Sequence, residues 1–138
     1  MKTLLLAPAT LALLLAQSAF AASPACPAQA FEPFLKAYME SAALQKTYTE
    51  YPLAHILLDH SSDKARQIKV ALPQNKLSFP LLPSAARRKS EHLAFRVDAV
   101  TADKAQASIF NTERGYEKTY YFSKGACWKL ELVEDRSL

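Results

Sequence analysis

Residues 93–134 read LAFRVDAVTADKAQASIFNTERGYEKTYYFSKGACWKLELVE, and this stretch decides the expected fold. Apolar and polar residues alternate along it with the period of two that is typical of half-buried strands. The alternating segments are residues 93–97, 105–111, 116–122 and 127–134. Gly115 and Gly125 are the chain's two glycines and lie between the last three segments, where each would supply the positive φ of a tight hairpin. We therefore predict an antiparallel meander of four strands.

An amphipathic helix is expected upstream, beginning near Ala30. Its apolar positions follow the i, i+3, i+4, i+7 spacing of one helix face, and they are Phe31, Phe34, Leu35, Tyr38, Met39 and Ala42. Glu32 and Lys36 fall on another face as a favourable i,i+4 pair. The pattern predicts about four helical turns whose aromatic face packs on the sheet.

A helix that precedes a long antiparallel sheet indicates the α+β class, with the sheet strongly curved over the helix. The same pattern predicts the core residues, which are Phe31, Phe34, Leu35, Tyr38, Trp128, Leu130 and Leu132. Strict alternation over residues 127–134 is what places Leu132 in that set beside Trp128 and Leu130.

The middle of the chain is less regular. Residues 44–51 fit either a short helix or an extended segment, and Pro52 is expected to end it. Residues 53–58 fit a strand or a buried helix, whereas residues 66–72 alternate as a strand does. Residues 73–84 carry three prolines and are expected to form a loop or an edge. Residues 84–91 fit one or two helical turns or a basic loop.

The first 21 residues have the pattern of a secretory signal peptide. Lys2 precedes an apolar run over residues 4–15, and Ala19-Phe20-Ala21 supplies small residues before a predicted cleavage between Ala21 and Ala22. The apolar run is too short for a membrane span. We thus predict a signal peptide at 1–21, a lead-in at 22–29, and one domain at 30–138 in the periplasm or outside the cell.

The cysteines and the charge support that interpretation. Cys26 and Cys127 are the chain's two cysteines, and an even pair in an exported chain is most simply one disulfide. Such a bond would close a loop of about 100 residues, which stabilises by roughly 4–5 kcal/mol. The formal net charge of +4 falls to +3 without Lys2, and the basic residues are scattered. A nucleic-acid-binding protein would show a concentrated basic stripe, so no nucleic-acid partner is expected.

Several short motifs resemble those of a known group of proteins. They are Phe31-Glu32-Pro33-Phe34-Leu35, Leu44-Gln45, Tyr51-Pro52-Leu53 and the closing run from Tyr120 to Leu130. Together they resemble an uncharacterised family of small secreted bacterial domains in the nuclear-transport-factor-two-like superfamily, although Leu44 stands where that family tends to have phenylalanine. The resemblance implies a cone of sheet over helices, often with an internal pocket. The superfamily includes ketosteroid isomerase and scytalone dehydratase, but a shared fold does not transfer an activity.

His55 and Asp59 are the first candidates for catalytic chemistry. They share one face on a strand and are i,i+4 on a helix, so the carboxylate could orient the imidazole as a general base. A metal site would need a third ligand, for which His92 or Asp98 is the distant candidate. The alternative is that residues 59–63 form a solvated turn, which the composition of that stretch favours. No metal or cofactor is expected, because the chain has no Walker loop, dinucleotide fingerprint or nucleophile elbow.

Asp98 is a second candidate base. Arg96 and Asp98 lie on one face of a predicted strand and Phe95 and Val97 on the other. If the charged face lined the cone, Asp98 could act as a base in the manner of the isomerases. The alternation instead favours the outer face for the charged pair, since the apolar pair should take the core.

Three functional hypotheses follow. The preferred one is a non-enzymatic periplasmic binding module for a protein or a small ligand, because each catalytic candidate has a structural alternative. One concrete form is an immunity or inhibitor protein against an envelope-acting enzyme, with Arg87, Arg88 and Lys89 as an electrostatic docking patch for an acidic partner. The second hypothesis is an isomerase- or dehydratase-type enzyme with an acid–base pair inside the cone. The third is a structural envelope protein that self-associates as a homodimer through a sheet face.

Overall fold

A computed structural model describes residues 25–138 of the chain. The predicted signal peptide and its cleavage position lie outside the described residues. The helices are α1 (Phe31–Met39), α2 (Ala42–Thr47) and α3 (Ala85–Ser90). The strands are β1 (Thr49–Asp59), β2 (Arg66–Leu72), β3 (Ala94–Val100), β4 (Lys104–Asn111), β5 (Tyr116–Lys124) and β6 (Trp128–Asp135). Single turns of 3-10 helix occupy Gln74–Lys76 and Thr112–Arg114.

The six strands form one curved, mixed sheet in the order β2-β1-β6-β5-β4-β3. The four strands from β3 to β6 pair antiparallel in chain order, which confirms the predicted meander. The β1–β2 hairpin joins this meander through a parallel pairing between β1 and β6. Few helices packed on such a sheet make this an α+β protein, as the pattern predicted.

Helix α1 buries its apolar face against the middle of the sheet. The ring of Phe31 lies with its centroid 5.2 Å from that of Phe122 and 5.1 Å from that of Trp128, both edge to face. Aromatic pairs in this geometry add about 0.5–1.5 kcal/mol beyond the area they bury. Tyr38 and Phe122 pack in the same way at 5.6 Å. The predicted contact between the aromatic helix and the sheet is therefore what forms the core.

The helix is shorter than predicted. It ends at Met39, and the apolar pattern that continued to Ala42 belongs to α2. Ser41 separates the two helices: its backbone is extended, and its hydroxyl oxygen accepts a hydrogen bond from the Leu44 amide at 3.2 Å. A serine N-cap of this kind starts a new helix instead of continuing the old one.

The predicted burial of Leu132 is wrong, because β6 contains a β-bulge. Tyr121 pairs with Leu132, but the next residue, Phe122, pairs with Leu130, so Glu131 is the extra residue. A bulge shifts the alternation of side chains by one position. Consequently Val133 is buried on the same face as Leu130, whereas Leu132 is half-buried on the opposite face.

Pro52 does not end the segment before it, since β1 runs through it. A proline cannot donate a ladder hydrogen bond, but no ladder bond is needed at this position. The pairing with β6 is irregular between Thr49 and Ala54, and the pairing with β2 begins at Leu53. The ambiguous stretch over residues 53–58 is therefore strand.

Of the two glycines, only Gly115 has the predicted conformation. Its φ is +62° at the end of the 3-10 turn that joins β4 to β5. Gly125 lies in the β5–β6 turn without a positive φ, and a Cβ there would meet no atom within 4 Å. The expectation of a positive φ at Gly125 is thus wrong, and that turn does not depend on glycine for its backbone angle.

The predicted disulfide joins Cys26 to Cys127, whose Cα atoms are 5.4 Å apart across a sequence separation of 101. Tyr48 and Trp128 reinforce the attachment of the lead-in. The Tyr48 hydroxyl donates to the Ala25 carbonyl at 3.3 Å, and the Trp128 indole donates to the Gln29 carbonyl at 3.0 Å. The segment before α1 is therefore fixed to the start of β6.

Candidate functional site

The candidate site lies on the concave face of the sheet, beyond the part that α1 covers. Strand register places Val70, His55, Val133, Tyr120 and Ala107 in one row across β2, β1, β6, β5 and β4. The neighbouring row contains Leu57 of β1, Asp135 of β6 and Lys118 of β5. These three residues are half-buried. These two rows bring polar groups from three strands together on an otherwise apolar surface.

A pocket of about 280 Å³ opens at these rows. Its lining residues come from the concave face and from the loop after β2, and they are His55, Leu72, Lys76, Leu77, Ser78, Pro80, Leu81, Lys118, Tyr120 and Val133. We call this cavity the concave pocket. Half of these residues are aliphatic or proline, and His55, Lys76, Lys118 and Tyr120 are the ionisable groups. A cavity that combines apolar residues with a few polar groups can hold and orient a small ligand.

Gln45 fixes the wall of the concave pocket that the loop provides. Its side chain is fully buried. Its Oε1 accepts hydrogen bonds from the amides of Leu81 and Leu82 at 2.6 and 3.0 Å, and its Nε2 donates to the Leu82 carbonyl at 3.0 Å. An irregular loop has no partner strand for its backbone groups, so a buried amide side chain satisfies them instead.

His55 contributes an unsatisfied polar atom. Its ring is half-buried, and its Nε2 is buried without a hydrogen-bond partner among the described residues. Burial lowers the pKa of His55 below its usual 6.5, the charge of Lys118 lowers it further, and Asp135 partly offsets both effects. The imidazole is therefore neutral at pH 7. Leaving a buried ring nitrogen unpaired costs free energy.

Lys118 and Asp135 form an ion pair beside His55, with Nζ and Oδ2 3.0 Å apart. Burial by itself would raise the pKa of Asp135, but hydrogen bonds from Ser137 and Lys118 outweigh that effect and lower it. The carboxylate accepts from the Ser137 amide at 3.0 Å, so it stays ionised and engaged. Asp135 is therefore occupied by its neighbours and forms no hydrogen bond with His55.

Tyr120 lies in the same row as His55 and two residues from Lys118 along β5, but it does not offer its hydroxyl to the pocket. That hydroxyl donates to the Leu81 carbonyl at 3.2 Å. Burial raises the pKa of Tyr120 well above its usual value of 10.0. The side chain thus acts as a neutral pocket wall that ties β5 to the loop.

Asp59 does not approach His55. Both side chains are on the same face of β1, but four residues of strand separate them by about 13 Å. Asp59 instead lies at the exposed strand end, where it accepts from the Ser61 amide at 2.9 Å and pairs with Arg66 at 3.1 Å. The turn from residue 59 onward is solvated, and the proposed imidazole–carboxylate dyad does not form.

Asp98 lies on the convex face of the sheet, away from the concave pocket. Its carboxylate accepts hydrogen bonds from the Arg96 guanidinium and the Ser108 hydroxyl. Phe95 and Val97 take the concave side, where they contribute to a separate groove. Asp98 therefore has no access to a ligand in the concave pocket.

The basic residues Arg87, Arg88 and Lys89 lie on α3. Arg87 is paired with Glu91 at 2.7 Å. Arg88 donates to the Pro83 carbonyl at 2.9 Å, and its guanidinium lies 5.1 Å from the centre of the Phe95 ring. Two of the three charges are thus engaged within the domain, and Lys89 is exposed.

A larger groove of about 660 Å³ runs between α1, α3 and β3. Leu35, Met39, Phe95 and Val97 contribute its apolar surface. Glu40, at its rim, accepts a hydrogen bond from the Ala85 amide at 2.8 Å. Glu40 and Arg88 thus connect α1 to α3, since Arg88 also donates to the Met39 sulfur at 3.2 Å, while Glu32 and Lys36 are further charged lining residues.

In the part of the chain from residue 25 onward, no three histidine, cysteine, aspartate or glutamate side chains are grouped to hold a metal ion. His92 lies after α3 with a φ of +55° and lines a different depression from His55. None of the described helices is long and apolar enough to cross a membrane.

Sequence reasoning named His55 but missed Lys118 and Asp135. The alternation of β5 does place Lys118 on the face of Tyr120 and Phe122, so its position was available from the pattern. The position of Asp135 was not available from the pattern, because the bulge at Glu131 reverses which of the following β6 residues face the core.

The fold is nuclear-transport-factor-two-like. A crystal structure of an NTF2-like protein from Bacteroides fragilis is similar with a TM-score of 0.59 at 19% sequence identity. The similarity covers 78% of this chain and 47% of that one, so the described domain corresponds to about half of the other protein. At this identity the similarity establishes the fold alone. No family model matches the chain, and no curated protein matches its sequence.

Proposed function

We propose that this protein is an exported, non-catalytic binding module that takes a small ligand in the concave pocket. The observation that carries the proposal is the convergence of His55 and Lys118 in a pocket that four aliphatic side chains also line. The imidazole and an ammonium group supply polar contacts, and the aliphatic residues supply contact area. Such a pocket gives a ligand both affinity and orientation.

The enzymatic alternative has less support. A general base needs a group that orients it and a reacting atom within hydrogen-bond reach. Among residues 25–138, no carboxylate hydrogen-bonds to His55, and Asp135 is engaged by Lys118 and Ser137. The Tyr120 hydroxyl donates to a backbone carbonyl. These contacts favour binding over acid–base catalysis.

The proposal includes a periplasmic location. Its support is the signal-peptide pattern of residues 1–21 together with the Cys26–Cys127 disulfide, which is compatible with an oxidising compartment. The domain proposed to act there comprises residues 30–138, with the lead-in attached by the disulfide. An immunity or inhibitor protein would instead bind its partner through an exposed surface such as α3 with Lys89. Blocking the concave pocket therefore distinguishes small-ligand binding from protein binding.

The test is a ligand-observed NMR screen of small amphipathic compounds against the oxidised protein, residues 22–138. Ser78 is exposed and lines the concave pocket, so Ser78→Trp should block it without entering the core. Ser62 lies in the exposed turn after β1 and is not a lining residue, which makes Ser62→Trp the matched control. Compounds that bind the wild type and Ser62→Trp, but not Ser78→Trp, support the proposal. Hits that bind all three proteins equally would contradict it, and so would turnover of a bound compound.

A further inference from the structure

We propose that the group recognised in the concave pocket is a carboxylate carried by a small apolar body, and that its binding takes up a proton at His55. This inference rests on the proposed ligand pocket and specifies the chemistry of its ligand. It is carried by the charges that line the pocket, by the unsatisfied imidazole and by the pocket's size.

The charge balance of the pocket favours an anion. Lys76 and Lys118 both line it, and Asp135 is the carboxylate beside Lys118. Lys118 is paired with Asp135, while Lys76 forms no ion pair within the described chain. One ammonium therefore remains without a counter-charge. Ammonium groups only donate hydrogen bonds and a carboxylate only accepts them, so the two chemistries match.

His55 adds to the preference of the concave pocket for an anion. The charged and titratable groups that face it are Lys118 and Tyr120 from β5, Asp135 from β6 and Lys76 from the turn after β2, while β2 itself contributes Val70. In the free protein, burial and Lys118 keep the ring neutral. Because Nε2 is buried in the free protein, this contact requires the half-buried ring to turn on binding, so that a protonated ring nitrogen donates to a carboxylate oxygen.

Bound anion and bound proton therefore stabilise each other. The ligand's negative charge favours the imidazolium and raises the pKa of His55 in the complex. By linkage, the affinity for the anion must rise as the pH falls through the interval between the free and bound pKa values. Above the bound pKa, His55 is neutral in both states and the dependence ends. The largest possible effect is about tenfold in affinity per pH unit, for the uptake of one proton.

The size of the pocket limits the ligand. A volume of about 280 Å³ accommodates about nine non-hydrogen atoms, at roughly 30 Å³ for each water-sized group. Leu72, Leu77, Leu81 and Val133 form much of its wall, so the body of the ligand should be apolar. Hexanoate fits this description, and hexanamide is its neutral counterpart of nearly the same shape.

The experiment measures hexanoate and hexanamide binding to the oxidised protein at about pH 6 and about pH 8, the range in which histidine titrates. We expect hexanoate to bind more tightly than hexanamide, and its affinity to rise about three- to tenfold from the higher to the lower pH. Hexanamide affinity should not change. In the NMR spectrum, hexanoate should raise the pKa of the His55 ring, and hexanamide should leave it unchanged.

Two variants test the residues. Lys76→Gln removes the ammonium that has no counter-charge and should abolish the preference for hexanoate, whereas Lys129→Gln, the same change on an exposed lysine of β6, should retain it. His55→Gln should retain some hexanoate binding but lose its pH dependence. The NMR titration of the wild type gives the same information if His55→Gln does not fold.

The outcomes separate this inference from the proposed function. Equal binding of hexanamide and hexanoate overturns the inference and leaves the small-ligand pocket standing. Hexanoate binding without a pH dependence overturns the proton uptake. If neither compound binds and the wider screen also finds no ligand, both the inference and the proposed function fail.

Discussion

Replacing Gln45 with leucine should destabilise the domain by about 3–5 kcal/mol. Gln45 is 0% exposed and makes three hydrogen bonds to the loop backbone. Leucine has a similar size but no polar atom, so the Leu81 and Leu82 amides and the Leu82 carbonyl would lose their partner. Each unsatisfied buried group costs about 1–3 kcal/mol, partly offset by the apolar area that leucine buries.

Urea unfolding followed by Trp128 fluorescence measures this loss. With a slope of about 1–3 kcal/mol per molar urea for a small domain, the midpoint should fall by about 2 M. Gln74→Leu is the matched control, because Gln74 is exposed at the start of a 3-10 turn and its side chain forms no hydrogen bond within the described residues. Its midpoint should change little.

Gln45→Glu provides a second measurement in case the leucine variant does not fold. A protonated glutamic acid can still donate to the Leu82 carbonyl and accept from the two amides, whereas the carboxylate cannot donate. The buried acid therefore has a raised pKa in the folded state, and the stability of this variant relative to wild type should decrease as the pH rises. A Gln45→Leu variant within about 1 kcal/mol of wild type would refute the reasoning.

Three further outcomes are expected. Replacing Cys26 and Cys127 with serine should lower the free energy of unfolding by about 4–5 kcal/mol, and an unchanged urea midpoint would contradict this. Val133→Ala should cost about 2 kcal/mol and Leu132→Ala at least about 1 kcal/mol less, since the bulge buries valine and not leucine in the core; the reverse order would mean that the alternation is strict. The lowered pKa of Asp135 stabilises the folded state above the unfolded pKa of about 3.9, and this contribution is lost as the pH falls through the folded pKa. Asp135→Asn should therefore flatten the acid side of the stability profile, and an unchanged acid slope would show that other groups set it.

The candidate site was only partly predictable. His55 was singled out from its residue type and spacing, but with the wrong partner, because Asp59 is its neighbour in sequence and not in space. The residues that the structure places near His55, Lys118 and Asp135, come from strands more than 60 positions away in the chain. Their juxtaposition depends on the parallel pairing of β1 with β6, which joins two segments that no local pattern relates.

Local periodicity determined much of this protein. The alternation of residues 93–134 specified the meander, the spacing after Phe31 specified an aromatic helix face, and two cysteines specified one disulfide. The first two are short-range consequences of how a helix or strand presents side chains to a core, and the disulfide follows from the even number of cysteines in an exported chain. The tertiary structure alone decided that a bulge moves Leu132 out of the core and that His55 meets Lys118 in the concave pocket. These features depend on strand register and long-range packing, where the free energy belongs to contacts between segments rather than to either segment alone.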